Sequence, residues 1–140
     1  MDWNEALPLL NENHTGVAVS ITSMGRAQAT LVSTAVLDGK IGFASRARAV
    51  KLKNIQRTGR ATVTVIKLDT RRYVTVEGPA SIEPWQDTAA HIKRLKDLYV
   101  AMDRAPEGSD EEFARKMRDE ERSLVLVGPE RIYGSLRSGT

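Results

Sequence analysis

RAQATLVSTAVLDGKIGFAS, residues 26–45, alternates small, apolar and polar side chains on both sides of an Asp38-Gly39 dipeptide. Asp-Gly tolerates the positive backbone angles of a two-residue hairpin turn, so the stretch predicts two antiparallel strands in tight register. Side chains alternate between the faces of a strand, which puts Gln28, Thr30, Val32 and Thr34 together. Amides and hydroxyls on a half-buried strand suit a flat, polar-edged ring better than a dry core. A threonine-rich strand facing solvent is the competing reading.

The same period continues on either side of the hairpin. Upstream, GVAVSITS (16–23) places Val17, Val19 and Ile21 on one face before a turn at SMGR. Downstream, ATVTVIKL and RRYVTVEGPASIEP read as two strands around a DTRR turn, and RSLVLVGP and ERIYGS as two more. Outside the basic segment at 46–57, helical spacing is confined to three places. Trp3, Ala6, Leu7 and Leu10 follow a candidate cap at Asp2, although Pro8 fits a helix without loss only in its first turn. Ile92, Leu95, Tyr99 and Met102 follow a candidate cap at Asp87, and Ser109 with Glu112 forms a capping box. Six or seven mostly antiparallel strands with short helices predict a mainly β, α+β fold: a small barrel with helical decoration.

The 140 residues carry a formal net charge of +3, with 41% hydrophobic and 28% charged side chains. This is globular composition, and the length suits one domain spanning 1–140. No apolar run approaches the roughly 18 residues of a membrane span. MDWNEALPLL has neither a basic start nor a continuous apolar run, so no export signal is expected and the cytoplasm is the expected compartment. With no cysteine, disulfides, thiol chemistry and most structural zinc sites are excluded.

The only histidines are His14, near a loop, and His91, on what reads as the polar side of a helix. Without a cysteine or a histidine pair, neither a nucleophile–His–Asp arrangement nor a histidine-rich metal site is expected, and no metal ligand is assigned. The Glu111-Glu112 and Glu120-Glu121 pairs sit among Arg115, Lys116 and Arg118, which predicts i,i+4 surface pairing rather than a carboxylate dyad. No catalytic side chain is assigned, so any chemistry falls to a cofactor.

Charge is unevenly distributed. Arg46, Arg48, Lys51, Lys53 and Arg57 occupy residues 46–57 without one acid, whereas acids gather at 107–121. A basic segment in a near-neutral chain suggests a local anion site for a phosphorylated small molecule. Two Trp, three Tyr and two Phe leave few stacking platforms, so no nucleic-acid partner is expected. If Ser45 caps a helix, Arg48, Lys51 and Asn54 form one polar strip, and Ala49, Leu52 and Ile55 another that packs on the barrel. A hydroxyl, free N–H groups at a helix start and two cations suit a phosphate. Lys53 and Arg57 point elsewhere, into solvent, and Gly59 ends the helix.

Taken in order, GVAVSI, GRAQATLVSTAVLDGKIGFAS, AVKLKNIQRTGRATVTV, RYVTVEGPASI and RIYG resemble the split β-barrel flavin-binding proteins related to pyridoxamine 5'-phosphate oxidase. Within them, the chain looks most like the flavin/deazaflavin oxidoreductase B group, which uses coenzyme F420. The resemblance covers nearly the whole chain and is sharpest at DGKIGFAS, at KxxNI (Lys51 to Ile55) and at VEGPA (Val76 to Ala80). It implies an FMN-binding split-barrel fold of six to seven strands. It further implies that Lys51 contacts the cofactor phosphate, with Ser45 and Arg48 in the segment that wraps it. Arg46 or Arg48 would replace the basic position that is Ala49 here. Gln28 and Thr30 would lie beside the tricyclic ring, with Val32 and Asn54 assigned to the same site.

The activity implied is hydride transfer between the reduced deazaflavin and a small conjugated acceptor, biliverdin- or quinone-like. FMN is the alternative cofactor; a non-catalytic split-barrel module for haem or lipid is the alternative function. The resemblance also implies a homodimer with the cofactor between subunits, completed by RRYVTVEG or RIYG of the partner. Val63, Val65, Val74 and Val76 are candidates for the dimer surface, and Arg46, Arg71 and Arg72 for the pocket mouth, facing an anionic polyglutamate tail. Tyr73 and Tyr133 are expected as core or interface aromatics more than as proton donors. LRSGT at the carboxy terminus lacks the arginine motif by which pyridoxamine phosphate oxidases hold substrate, so that activity is not expected.

Overall fold

The computed structural model describes residues 1–104, 106 and 108–137. Helix α1 (Trp3–Glu12) leads into strands β1 (Thr15–Ile21), β2 (Ala27–Leu37) and β3 (Lys40–Arg46), then helix α2 (Val50–Thr58). Strands β4 (Arg60–Lys67) and β5 (Arg72–Glu83) follow, then helices α3 (Ala89–Ala101) and α4 (Asp110–Glu120), and strands β6 (Arg122–Val127) and β7 (Arg131–Ser135) close the fold. Neighbours run β4-β1-β2-β3-β6-β5, and β5 pairs back to β4, so six strands form a closed ring with β7 laid against β5. All pairings are antiparallel.

Closure depends on β5 serving two neighbours in succession. Arg72 to Pro79 pairs with β4, and Ala80 to Glu83 pairs with β6. At the changeover, a Cβ on Gly78 would lie 2.0 Å from the Gly128 carbonyl oxygen, so only glycine fits. The β2–β3 hairpin turns at Asp38 and Gly39, with φ of 56° and 70°, as the Asp-Gly dipeptide predicts.

The barrel core is built from cross-strand pairs. Val63 faces Val76 and Val65 faces Val74, all fully buried with Ile41, Phe43, Val125 and Val127. These four valines are therefore interior, not a dimer surface. Their strands lie side by side in the closed ring, and the opposite face carries Thr62, Thr64, Tyr73 and Thr75, of which Thr75 is itself buried. The opposite reversal occurs on β1. Gly16, Ala18 and Ser20 are buried, while Val17, Val19 and Ile21 face outward, because the adjoining interior is filled from other strands.

A second core lies outside the ring. Leu124 and Leu126 on β6 pack with Leu95, Leu98, Phe113 and Met117 of α3 and α4. Strand β6 is thus buried on both faces, which accounts for the continuous apolar run in RSLVLVGP.

The helix ends refine the sequence reading. Asp2 caps α1 through Glu5 N at 2.8 Å, and Glu5 reciprocates, a box worth about 1 kcal/mol. Pro8 lies inside α1, beyond the first turn, at the cost of one backbone bond. Thr88, not Asp87, caps α3. Asp87 instead accepts from Arg118 Nε at 2.9 Å. Ser109 caps α4 as predicted. Two ion pairs of α3 and α4 join different elements, Arg118 to Asp87 and Lys96 to Asp110, while Lys93 to Asp97 steps i,i+4 along α3. Among the described residues, no helix is long and apolar enough to cross a membrane.

Candidate anion-binding cleft

The basic segment is not helical from its start. Ser45 is the penultimate residue of β3, buried, and its hydroxyl donates weakly to the Arg46 carbonyl at 3.4 Å. It does not cap α2. That helix begins at Val50 behind Ala49, which offers no side-chain cap, and ends at Gly59 with φ of 68°. The delay leaves Ala47 to Ala49 as an irregular crossing from sheet to helix. Ala49 N donates to the Arg46 carbonyl at 3.0 Å, and Ala47 N to the Glu121 carbonyl at 3.0 Å.

Beside this crossing opens a cleft of about 440 Å³. Strand β2 supplies Leu31, Val32 and Ser33; β3 supplies Ala44, Ser45 and Arg46; Ala49 and Lys51 come from the start of α2. Tyr99, Met102 and Arg104 close it from the end of α3, with Arg122 from β6. Four cations line it, and among the described residues no Asp or Glu does. Burial, and next the positive charge of Arg122, hold the Lys51 ammonium below the usual lysine pKa. Both effects disfavour the charged lysine in the empty cleft. An anion entering here favours it.

The rest of the wall is mixed. Arg104 Nη1 donates to Ser33 Oγ at 3.3 Å, tying the end of α3 to β2. Burial pushes the Tyr99 phenol up in pKa, so it remains a neutral hydrogen-bonding group. Its ring packs edge-on against Phe113 at 5.7 Å between centroids. Leu31 is 75% exposed at the rim, a large apolar side chain without cover.

Of the residues singled out from sequence, Val32, Ser45, Arg46 and Lys51 meet in this cleft. Gln28, Thr30, Arg48 and Asn54 do not line it. Asn54 is 4% exposed and donates from Nδ2 to Gln28 Oε1 at 3.0 Å and to Ser20 Oγ at 3.1 Å. The pair fastens α2 onto the inner ends of β1 and β2. Thr30 faces inward with its hydroxyl unpaired. Arg48 is exposed in the crossing, and Lys53 is exposed on α2. Arg57 is more than a solvated charge: it donates to the Ile21 carbonyl and to Asn54 Oδ1.

His91 is buried rather than on a polar face, with Nε2 donating to the Arg122 carbonyl at 2.9 Å. Tyr73 and Tyr133 lie on the outer sheet face, at 38% and 40% exposure, away from the cleft. Arg71 and Arg72 also lie outside its lining. Sequence spacing missed Tyr99, Met102, Arg104 and Arg122. Arg122 is found through pairing alone, since it stands opposite Arg46 in the β3–β6 ladder. Arg104 follows the apolar stripe of α3 closely enough to have been suspected as its polar end.

Residues 3–135 match the family model described as pyridoxamine 5'-phosphate oxidase. The chain belongs to that family. No curated protein matches it in sequence. Among solved structures it is similar to a conserved hypothetical protein from Mycobacterium tuberculosis (24% identity, TM-score 0.72, covering 96% of this chain and 84% of that one). It is also similar to a protein described as an F420 reductase (21% identity, TM-score 0.66, covering 90% and 94%). A third is a pyridoxamine 5'-phosphate oxidase-related, FMN-binding protein from Nostoc punctiforme (15% identity, TM-score 0.69, covering 96% and 83%). At these identities the likeness is one of fold: the split barrel that the family resemblance implies, and the small barrel that the strand pattern predicts.

Proposed function

We propose that the protein is an oxidoreductase that binds the deazaflavin coenzyme F420 by its phosphate in the cleft of Arg46, Lys51, Arg104 and Arg122, and passes hydride to a small conjugated acceptor such as a quinone or a biliverdin-like tetrapyrrole. The observation that carries this reading is four cations in a cleft whose described lining holds no Asp or Glu, beside a buried serine hydroxyl; Glu120 pairs with Arg122 from outside that lining. Such a donor set suits an oxyanion such as a phosphate. A charge-assisted bond from Lys51 contributes roughly 1.5–3 kcal/mol. More positive charge is present than one phosphate needs, which favours a coenzyme with an anionic tail over a bare monophosphate.

The coenzyme, when bound, supplies the hydride chemistry. The chain's own residues anchor its phosphate, offer Val32, Met102 and Leu31 as apolar surface, and keep water from the reacting partners. No side-chain base is assigned a role.

Assembly completes the site. Leu31, Val17 and Thr64 lie in one outward row continued by Thr75 and Tyr133, and Ile21 and Tyr73 extend the exposed apolar face. A second copy across this face would cover Leu31 and roof the cleft, so the proposed unit is a homodimer. FMN is the second reading, since its phosphate meets the same cations. Equilibrium dialysis against both cofactors tests the choice: tighter F420 binding whose margin narrows with salt is expected. FMN binding as tight or tighter at every salt concentration reverses the assignment.

A further inference from the structure

Arg122 is held at more points than a solvated charge requires. Its Nε donates to Glu120 Oε2 at 3.1 Å and its Nη1 to the Ala44 carbonyl at 3.5 Å. Its own carbonyl accepts from His91 Nε2, and its backbone is paired with that of Arg46. His91 is in turn wedged edge-on against Trp85, with centroids 5.5 Å apart. The corner between α4 and β6 is fixed as well, because Glu121 adopts a φ of 49° and accepts from Ala47 N. Pinning a long side chain costs rotamer freedom. A structural reason alone would be met by one ion pair.

The arrangement has a direction. Glu120 takes the Nε edge of the guanidinium and does not line the cleft, whereas Arg122 does. Among the described residues, Arg122 Nη2 has no protein partner. Lys51 and Arg122 line the same cleft, and the positive charge of Arg122 adds to burial in lowering the Lys51 pKa. Two converging cations, one a planar fork and one a compact ammonium, match an oxyanion with several oxygens.

We propose that Arg122 and Lys51 grip one phosphate between them, and that Glu120 is the positioning residue that aims the Arg122 fork at it. This rests on the reading of the cleft as a phosphate site. The role of Glu120 runs against simple charge. Coulomb attraction alone predicts that removing a carboxylate near an anion site tightens anion binding; aiming predicts that it loosens it.

The test titrates F420, FMN and phosphate-free riboflavin into the wild type, Arg122→Gln, Arg122→Lys, Glu120→Ala and Glu120→Gln, with melting curves to confirm folding. Arg122→Gln should weaken whichever phosphate-bearing cofactor the wild type binds by about 10- to 100-fold, while riboflavin binding stays unchanged. Arg122→Lys, which keeps the charge without the fork, should recover only part of this. Glu120→Ala should weaken binding about fivefold although it adds net positive charge, and Glu120→Gln, whose amide oxygen still accepts from Nε, should restore it.

Unchanged cofactor affinity in Arg122→Gln overturns the proposal, and tighter binding in Glu120→Ala overturns the aiming role. Either result leaves the cofactor reading standing if Lys51→Ala still weakens binding. If the wild type binds neither cofactor, that reading fails, and melting in inorganic phosphate decides this one. A phosphate-induced rise in melting temperature that is lost in Arg122→Gln supports it, and no rise in the wild type overturns it.

Discussion

Arg46 and Arg122 stand directly opposite one another in the β3–β6 ladder, and both line the same cleft. Like charges at paired positions are destabilising by roughly 0.2–1 kcal/mol, and no acid in the cleft lining separates them. Glu120, outside the lining, pairs with Arg122 at 3.1 Å and offsets part of this repulsion; a bound anion would offset the rest. Arg46→Ala should leave the empty protein as stable or slightly more stable, by up to about 0.5 kcal/mol, and weaken cofactor binding. Denaturant melts with and without F420 measure both. A variant that loses stability without ligand contradicts the account.

Lys51 and Lys53 lie two residues apart on α2 and differ in setting, one half-buried in the cleft and one exposed. Lys51→Ala should weaken cofactor binding about ten- to hundredfold, at roughly 1.4 kcal/mol per decade. Lys53→Ala should stay within about 0.5 kcal/mol in affinity and stability. Fluorescence titration of both variants distinguishes a phosphate pocket from a general polyanion surface, on which the two lysines would count equally.

The lowered Lys51 pKa carries a pH signature. In the empty protein the folded state holds this proton less tightly than the unfolded chain does. Stability attributable to Lys51 therefore rises as pH climbs through its folded pKa towards its ordinary value of about 10.4. A bound phosphate favours the ammonium, so binding takes up a proton in that window. Cofactor affinity should fall on the alkaline side as Lys51 loses its proton, and Lys51→Ala should flatten this limb. Titrations across alkaline pH, and calorimetry in buffers of different ionisation enthalpy, read the coupling.

Asn54 serves the scaffold. Removing its amide leaves the buried Ser20 hydroxyl and the Gln28 carbonyl oxygen without this donor, at a cost of about 1–3 kcal/mol. Asn54→Ala should lower the melting temperature measurably, while Arg48→Ala, an exposed change, should leave both stability and binding unaltered.

The outward apolar row gives the assembly test. Leu31→Arg places a charge where the second copy would pack, and it should shift sedimentation from dimer to monomer and weaken cofactor binding. A wild type that sediments as a monomer at micromolar concentration counts against the shared pocket.

Local chemistry made much of this molecule legible. Asp38-Gly39 fixed the hairpin, Gly59 the end of α2, and Asp2 and Ser109 their helix starts. What stayed hidden was which face of each strand turns inward. Val63 and Val17 occupy equivalent places in alternating apolar strands, and only ring closure makes one interior and the other exterior. Asn54 read as a ligand because its burial depends on contact with Ser20 and Gln28, residues distant in sequence. Arg122 went unread for the same reason: its neighbour across the ladder, Arg46, is remote along the chain.

The double burial of β6 gives the two helices after β5 a standing that their place outside the ring conceals. Leu124 and Leu126 pack chiefly against Leu95, Leu98, Phe113 and Met117, so the α3–α4 segment is a wall of the protein rather than an ornament. A shortened version lacking residues 89–120 would bare a continuous β-rich apolar strand, the kind of segment that recruits copies of itself into aggregates. Anyone trimming this chain towards a minimal barrel would have to rewrite Leu124 and Leu126 as polar residues first. The cleft would go with the helices, because Tyr99, Met102 and Arg104 are carried on the end of that same segment.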